Sequence, residues 1–212
     1  YARSLQNYPL IRSPVNITRI EIWITNRNAS VEDFRSIVAL ADIAEPVADN
    51  YVSLDGLVTP SISAPTVNGV ALPTNQSNNI SNVLTSPQIR DIATVDNYLS
   101  GTYGMSQGSD YSLLQNARKL QPNEYTLNSR LGFISLNRRL NDGEVLAVAY
   151  EYTVIGSSNG ETSFKVGELS NDGITAPDNL AVKLLRSEIL TTKRTVGGVE
   201  EAFPTWNLMM KN

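Results

Sequence analysis

From Glu144 to Ile155 the chain runs without a Gly or Pro, and its side chains divide by parity. Leu146, Val148, Tyr150, Tyr152 and Val154 share one face of an extended backbone, and Val145, Ala147, Ala149, Glu151 and Thr153 share the other. The first face is apolar throughout, and the second turns polar at its far end. The spacing predicts a strand buried on both sides at its start and half exposed beyond Tyr150. Leu131–Leu136, entered through Arg130, is a short apolar run upstream of it. Asn141-Asp142-Gly143 supplies the turn, because Asx residues tolerate left-handed dihedrals and Gly143 adopts positive φ at no steric cost. Gly156–Gly160 is a second turn, returning the chain as Thr162–Glu168. Residues 123–168 are therefore expected to form a β-meander that the rest of the chain covers.

Asn16–Asn26 (NITRIEIWITN) is the cleanest strand: Ile20, Ile22 and Ile24 alternate with Arg19, Glu21, Trp23 and Thr25. Trp23 on the mixed face suggests a sugar-stacking platform, against the plainer reading that it packs under a neighbouring loop or strand. Asn28–Arg35 has the marks of a helix start, with Ser30 as N-cap. Ser36–Ala44 reads as a strand paired with the first, although a 3.6-residue period through Phe34, Ile37, Val38 and Ala41 also fits. Asp42, Glu45 and Asp49 form a loose acidic group, read as solvated loop, since calcium-loop spacing is absent.

Residues 50–85, with Pro60, Pro65, Pro73 and the run NQSNNISN, are expected to be a long surface excursion outside the core. Asn16, Asn28, Asn75 and Asn79 each open an N-x-Ser/Thr triplet, which chance explains in such sequence. Ser86 as N-cap and Pro87 at the first helical position predict a helix over 87–100, ended by Gly101, with Ile89, Ile92, Val95, Tyr98 and Leu99 as its apolar stripe. Gly101–Asp110 reads as a loop. Tyr111–Ala117 reads as a strand, though Leu113, Leu114, Ala117 and Leu120 would also suit a short helix. Leu169–Asn179 is turn-rich linker, Leu180–Ser187 and Glu188–Thr192 are extended, and Gly197-Gly198 breaks the pattern. The expected fold is mainly β, sandwich-like, with one or two short α-helices. Residues 1–178 form the β-rich domain and 179–212 an extended C-terminal segment.

Composition narrows the chemistry. The chain has 212 residues and a formal charge of −4, with no clustered Lys and Arg of the kind a nucleic-acid phosphate backbone requires. It contains no Cys and no His, which removes thiol nucleophiles, Cys-based zinc sites, Ser-His-Asp triads and HExxH motifs. No apolar run approaches the roughly 20 residues of a membrane helix. Carboxylate pairs are the remaining catalytic option, namely Glu32-Asp33, Glu144 with Glu151, and Glu200-Glu201; exposed charged faces account for all of them. No catalytic, cofactor or metal residue is assigned, and Tyr125, Tyr150 and Tyr152 join Trp23 only as possible members of an aromatic face. The opening at Tyr1 without Met and the amphipathic run Trp206–Asn212 lead us to expect a segment of a longer polypeptide.

The wording of the segments carries a resemblance. NITRIEIWITNRN, SIVALADIAEP, SPQIRDIATVDNYL, NARKLQPNEYTLNSRLGFISLNRRLNDGEVLAVAYEYTV, FKVGE, LAVKLLRS and PTWNLMMKN, in this order, resemble the SprA/Sov family of the Bacteroidetes type IX secretion system, also tied to gliding motility. Residues 50–85 match least. The resemblance implies a very large outer-membrane β-barrel translocon that works with a PorV-like partner, a plug-like protein and secreted cargo. Within it this segment would be a soluble, non-catalytic insertion attached to the remainder of the same chain, at the outer membrane or cell surface and on the extracellular rather than the periplasmic side. The alternative from the residues alone is a cell-surface carbohydrate-binding β-sandwich module; a His-free glycosidase comes third.

Overall fold

The computed structural model describes residues 9, 13–27, 34–54, 56–61, 64–67, 69–155 and 162–208. Its strands are β1 (Val15–Ile24), β2 (Phe34–Leu40), β3 (Thr66–Val67), β4 (Val70–Ala71), β5 (Tyr111–Lys119), β6 (Tyr125–Asn128), β7 (Phe133–Leu136), β8 (Leu146–Val154), β9 (Ser163–Val166), β10 (Leu180–Arg186), β11 (Lys193–Val196) and β12 (Val199–Ala202). Two α-helices are described, α1 (Ser81–Thr85) and α2 (Val95–Tyr103).

The chain is mainly β, as its periodicities predict, but the sheet closes on itself. Strands run in the order β1-β5-β2-β10-β8, and β8 pairs back with β1, so five strands form a barrel with β9 appended to β8. β2 and β10 are parallel and the other neighbours antiparallel. This corrects the sandwich-like expectation. Its physical cause is that β2, β8 and β10 bury both faces, one in the lumen and one under the outer layers. The lumen takes Trp23 from β1, Ile37 and Ala39 from β2, Leu114 and Ala117 from β5, Ala147 and Ala149 from β8, and Leu180, Val182 and Leu184 from β10. Barrel diameter grows with strand number, so five strands enclose little space. Alanines on three staves leave room for one indole.

Two layers cover the outside. Leu120, Tyr125, Ile134, Leu136 and Leu140 pack on Ile22, Ile24, Leu146 and Val148. The two-stranded sheet β6–β7 belongs to this layer and does not hydrogen-bond to β8. The expected meander over 123–168 is thus two separate hairpins, because β8 already has β1 on one side and β9 and β10 on the other. The turn at Asn141-Asp142-Gly143 is present, with Gly143 at φ 71°. The second turn, 156–160, lies outside the described residues.

The other layer is the stretch read as a surface excursion, and that reading is corrected. Tyr51, Val58, Val67, Leu72, Ile80, Val83 and Leu84 are buried against Val38, Leu40, Tyr152 and Phe164. At roughly 1.5–3 kcal/mol per buried large side chain, this stretch is a substantial part of the core. Its Asn and Ser residues mislead because they are buried as hydrogen-bonding posts. Asn78 Nδ2 donates to the carbonyls of Asp42 (2.7 Å) and Glu45 (2.9 Å), and Ser77 Oγ donates to Leu72 O (2.7 Å). Asn75 and Gly167 exchange two bonds (3.0 and 2.7 Å), and the Asn75 N–H donates to Lys165 O, which caps the outer edge of β9.

The expected helix over 87–100 breaks in two. Ser86 caps as predicted, accepting from Gln88 N–H, but only a 3₁₀ turn forms at Pro87–Ile89. Asp91 then restarts the chain: its Oδ1 accepts from Ala93 N–H, its carbonyl accepts from Val95 N–H, and α2 runs on to a left-handed Gly104. The break frees Arg90 to reach Glu168 (2.6 and 2.7 Å), Asn179 O and Leu84 O. The stretch read as a strand over Ser36–Ala44 is strand as far as Leu40 and not helix, but the expected pairing with the first strand is corrected, because β5 lies between β1 and β2. Tyr111–Ala117 is strand as well. The helix start at Asn28–Arg35 lies outside the described residues for 28–33, and Phe34 and Arg35 are strand.

The expectation of a separate extension over 179–212 is also corrected, because β10 is a central stave between β2 and β8. The part that lies on the outside is 187–208, where Gly197 and Gly198 (φ 58° and 83°) form the turn of the β11–β12 hairpin.

Candidate functional site

Trp23 is the penultimate residue of β1 and is 1% exposed, with Lys119 Nζ 5.7 Å from its ring centroid. A sugar cannot stack on it, so the platform reading is overturned. Tyr152 is equally buried, its hydroxyl donating to Pro73 O (2.8 Å) and its ring 5.6 Å from that of Phe164. Burial pushes the Tyr150 and Tyr152 hydroxyls well above the usual phenol range. Tyr152 is core, as the parity of β8 implies, and Tyr150 packs partly buried against the same face. Tyr125 is half-buried in the β6–β7 layer.

The carboxylates separate as well. Glu144, expected on an exposed face, is buried at the start of β8. It accepts from Asn141 N–H (2.8 Å) and from both terminal nitrogens of Arg138 (3.3 Å each), and Arg27 lies 3.7 Å away. Burial alone would raise its pKa; the Asn141 N–H and Arg138 outweigh that and hold the carboxyl below its usual range. Glu144 is a turn lock. Glu151 pairs with Ser163 Oγ (2.7 Å) and Arg19 (3.2 Å). Seven residues separate the two along one strand, about 23 Å at 3.3 Å per residue, against the roughly 5–10 Å of a glycosidase pair. Glu200 and Glu201 pair across the outer hairpin with Lys193 and Arg194. Glu32 and Asp33 lie outside the described residues. Among the described residues no group of three or more Asp or Glu side chains could hold a metal ion.

A buried polar cluster forms where β2 ends. Asp42, read as solvated loop, is 3% exposed and accepts from Val52 N–H (2.7 Å) and Ser53 N–H (3.0 Å). Burial raises its pKa above the usual carboxylate range; the two N–H groups and the charge of Lys183 counteract this, while Asp110 adds to it. Lys183 leaves β10 on the outer face, donates to Ala41 O (2.6 Å) and forms an ion pair with Glu45. Asn78 completes the cluster through the carbonyls of Asp42 and Glu45. A cavity of about 230 Å³ adjoins it, lined by Glu45, Asn50, Val52, Lys183, Pro204 and Leu208 among others.

Every member of this cluster is engaged inside the protein, so its chemistry is that of a clasp joining β2, β10 and the 50–85 layer. Lys183 escaped sequence reasoning. The available signal was a lone cation in the apolar run Leu180–Leu185, since a buried Lys is retained only when paired.

Among the described residues no helix is long and apolar enough to cross a membrane. No family model matches the chain, and no curated protein matches it.

Proposed function

We propose that this chain is a non-catalytic structural and interaction domain of a type IX secretion outer-membrane translocon of the SprA/Sov kind, contributing to protein export and gliding motility. The observation that carries the reading is the ordered likeness of its segments to that family, from NITRIEIWITNRN through PTWNLMMKN. The character of the molecule agrees with such a role. The buried Asp42, Lys183 and Glu144 and the half-buried Glu45 are held in internal clasps, and Trp23, Tyr111, Tyr152 and Phe164 are packed in the core. In this reading the domain acts sterically and through its surfaces. It is attached to the outer-membrane barrel of the same polypeptide and sits on the extracellular side, with PorV-like and plug-like components and secreted cargo as its neighbours.

The test is an in-frame replacement of the described domain by a Gly/Ser linker in the parent protein, in its native host. Secreted cargo and colony spreading are then measured, with outer-membrane levels of the variant checked by immunoblot. Loss of cargo from the medium at normal protein level is expected. Unchanged secretion and spreading would remove the domain from the transport pathway.

A further inference from the structure

Among the described residues the barrel wall is not a continuous ladder between β1 and β5. β1 meets β5 only at Trp23↔Lys119 and Ile24↔Arg118, with Leu120 N–H donating to Ile22 O (2.8 Å). β1 then ends, so β5 has β2 on one side and, on the other, only the single bridge Gln107↔Tyr111, with no strand ladder from Ser112 to Ala117 among the described residues. Backbone direction along β5 follows from its bonds. The carbonyl of Asp110 faces β2, where it accepts from Ala41 N–H, and that of Tyr111 faces the opposite way, accepting from Gly108 N–H. Alternation then turns the N–H and C=O of Leu113 toward the open side.

A groove of about 370 Å³ lies along this edge, with Leu113–Asn116 as one wall and Thr25 and Val145 on the other. β5 bulges within it, its register against β2 stepping from Ile37↔Leu114 to Arg35↔Ala117. Bulges re-aim side chains and end pairing; here Gln115 and Asn116 are exposed at the groove. The charged residue of the lining is Glu188, an acid. Its Oε2 accepts from Ser112 Oγ (2.5 Å), which places the carboxylate at the Ser112 end and leaves Oε1 as an acceptor.

We propose that this edge of β5, which carries no strand among the described residues, is the docking site for an extended segment of a partner protein, added as a short strand and carrying a Lys or Arg that meets Glu188. Backbone groups on an open sheet edge are matched by another extended backbone, and alternate side chains then fall into the groove. The bulge limits the added strand to a few residues around Leu113. Glu188, with no cation lining the groove, selects a basic rather than an acidic segment. This assignment stands on the β5 geometry and does not depend on the secretion reading.

The experiment pans a random-peptide phage library on the purified protein, then measures affinities of the selected synthetic peptides and amide hydrogen exchange with and without them. Selected peptides should carry Lys or Arg, slow exchange at Leu113 N–H, and lose about tenfold in affinity per backbone N-methyl group placed in the pairing register, the cost of one net hydrogen bond. Glu188→Gln should weaken them several-fold and flatten their salt dependence. Leu113→Pro removes the edge donor and should abolish binding; if that variant does not fold, the N-methyl comparison, made on the unaltered protein, decides. Failure to select any peptide, indifference to N-methylation, or protection at amides away from β5 would overturn the proposal. A concentration-dependent dimer that protects Leu113 would overturn it in favour of a second copy of this chain.

Discussion

Lys183→Met is the most informative single perturbation of the clasp. The side chain is 7% exposed, and its partner Glu45 is 16% exposed beside the cavity. Truncating the ammonium leaves the Glu45 carboxylate without its counter-ion and the Ala41 carbonyl without the donor 2.6 Å away. Breaking a buried pair by removing one partner costs about 3–5 kcal/mol, and the residual access of Glu45 to solvent places this case near 3 kcal/mol. In a chain of 212 residues that corresponds to a fall in Tm of roughly 6–12 °C. The double variant Lys183→Met/Glu45→Gln should recover about 2 kcal/mol of this, because no uncompensated charge remains. Urea unfolding followed by tryptophan fluorescence is the assay, with Trp23 in the lumen as reporter. A Lys183→Met variant within about 0.5 kcal/mol of the parent would show the pair to be loose. A double variant no better than the sum of the singles would remove the coupling on which the clasp rests.

Trp23→Ala should cost about 3–5 kcal/mol, the usual range for emptying a large core site, whereas Trp23→Phe should cost far less, since it also removes a buried Nε1–H that has no acceptor; chemical denaturation separates the two. Gly167→Ala should be destabilising, because Gly167 holds φ 71° and an added Cβ would lie 3.2 Å from Ala149 Cβ, Ala181 O and Val182 Cα; a thermal melt equal to the parent's would refute the close approach of β9 and β10. Excising residues 50–85 should abolish soluble expression, while replacing the exposed hairpin 193–202 by a short linker should leave the barrel's circular dichroism intact, and the reverse order would contradict the layer assignment. In acid, Glu124, Glu144 and Glu151 have folded pKa values below their unfolded ones, so their stabilisation is present above about pH 4.5 and is lost as pH falls through the folded values. Asp42, raised by burial, works oppositely and gains stability on acidification; Asp42→Asn should therefore steepen the acid limb and Glu144→Gln flatten it in pH-dependent unfolding.

Local alternation fixed what could be read from the chain. β1, β2, β5 and β8 fall where parity places them, and the turn at Asn141-Asp142-Gly143 follows from the dihedrals those residues accept. Closure was illegible because it depends on pairings without local cause. β10 lies parallel to β2 across more than 130 intervening residues, through ladders such as Leu180↔Ile37, and nothing in LAVKLLR distinguishes a barrel stave from an exposed extension except Lys183. The 50–85 layer was illegible for another reason. Asn75, Ser77, Asn78 and Asn79 look like solvated loop by composition, but their side chains replace the backbone ladder a sheet would have supplied.

These two failures share a physical origin, and it bears on function. A barrel of five strands encloses too little volume to be stable on its lumen alone, so its outer faces must also be covered, and here loops with few regular elements cover them. Each loop is tied down by buried or half-buried polar residues: Asn78 with Asp42, Asn75 with Gly167, Arg90 with Glu168. Such ties fix one arrangement without demanding a continuous apolar sequence. The covering layers are therefore free to vary while the staves hold, and β5 from Ser112 to Ala117 is a stretch of barrel wall whose side away from β2 has no strand ladder among the described residues. If a partner is recognised through the frame and not through the variable layers, that edge is a place where the frame offers backbone groups for pairing.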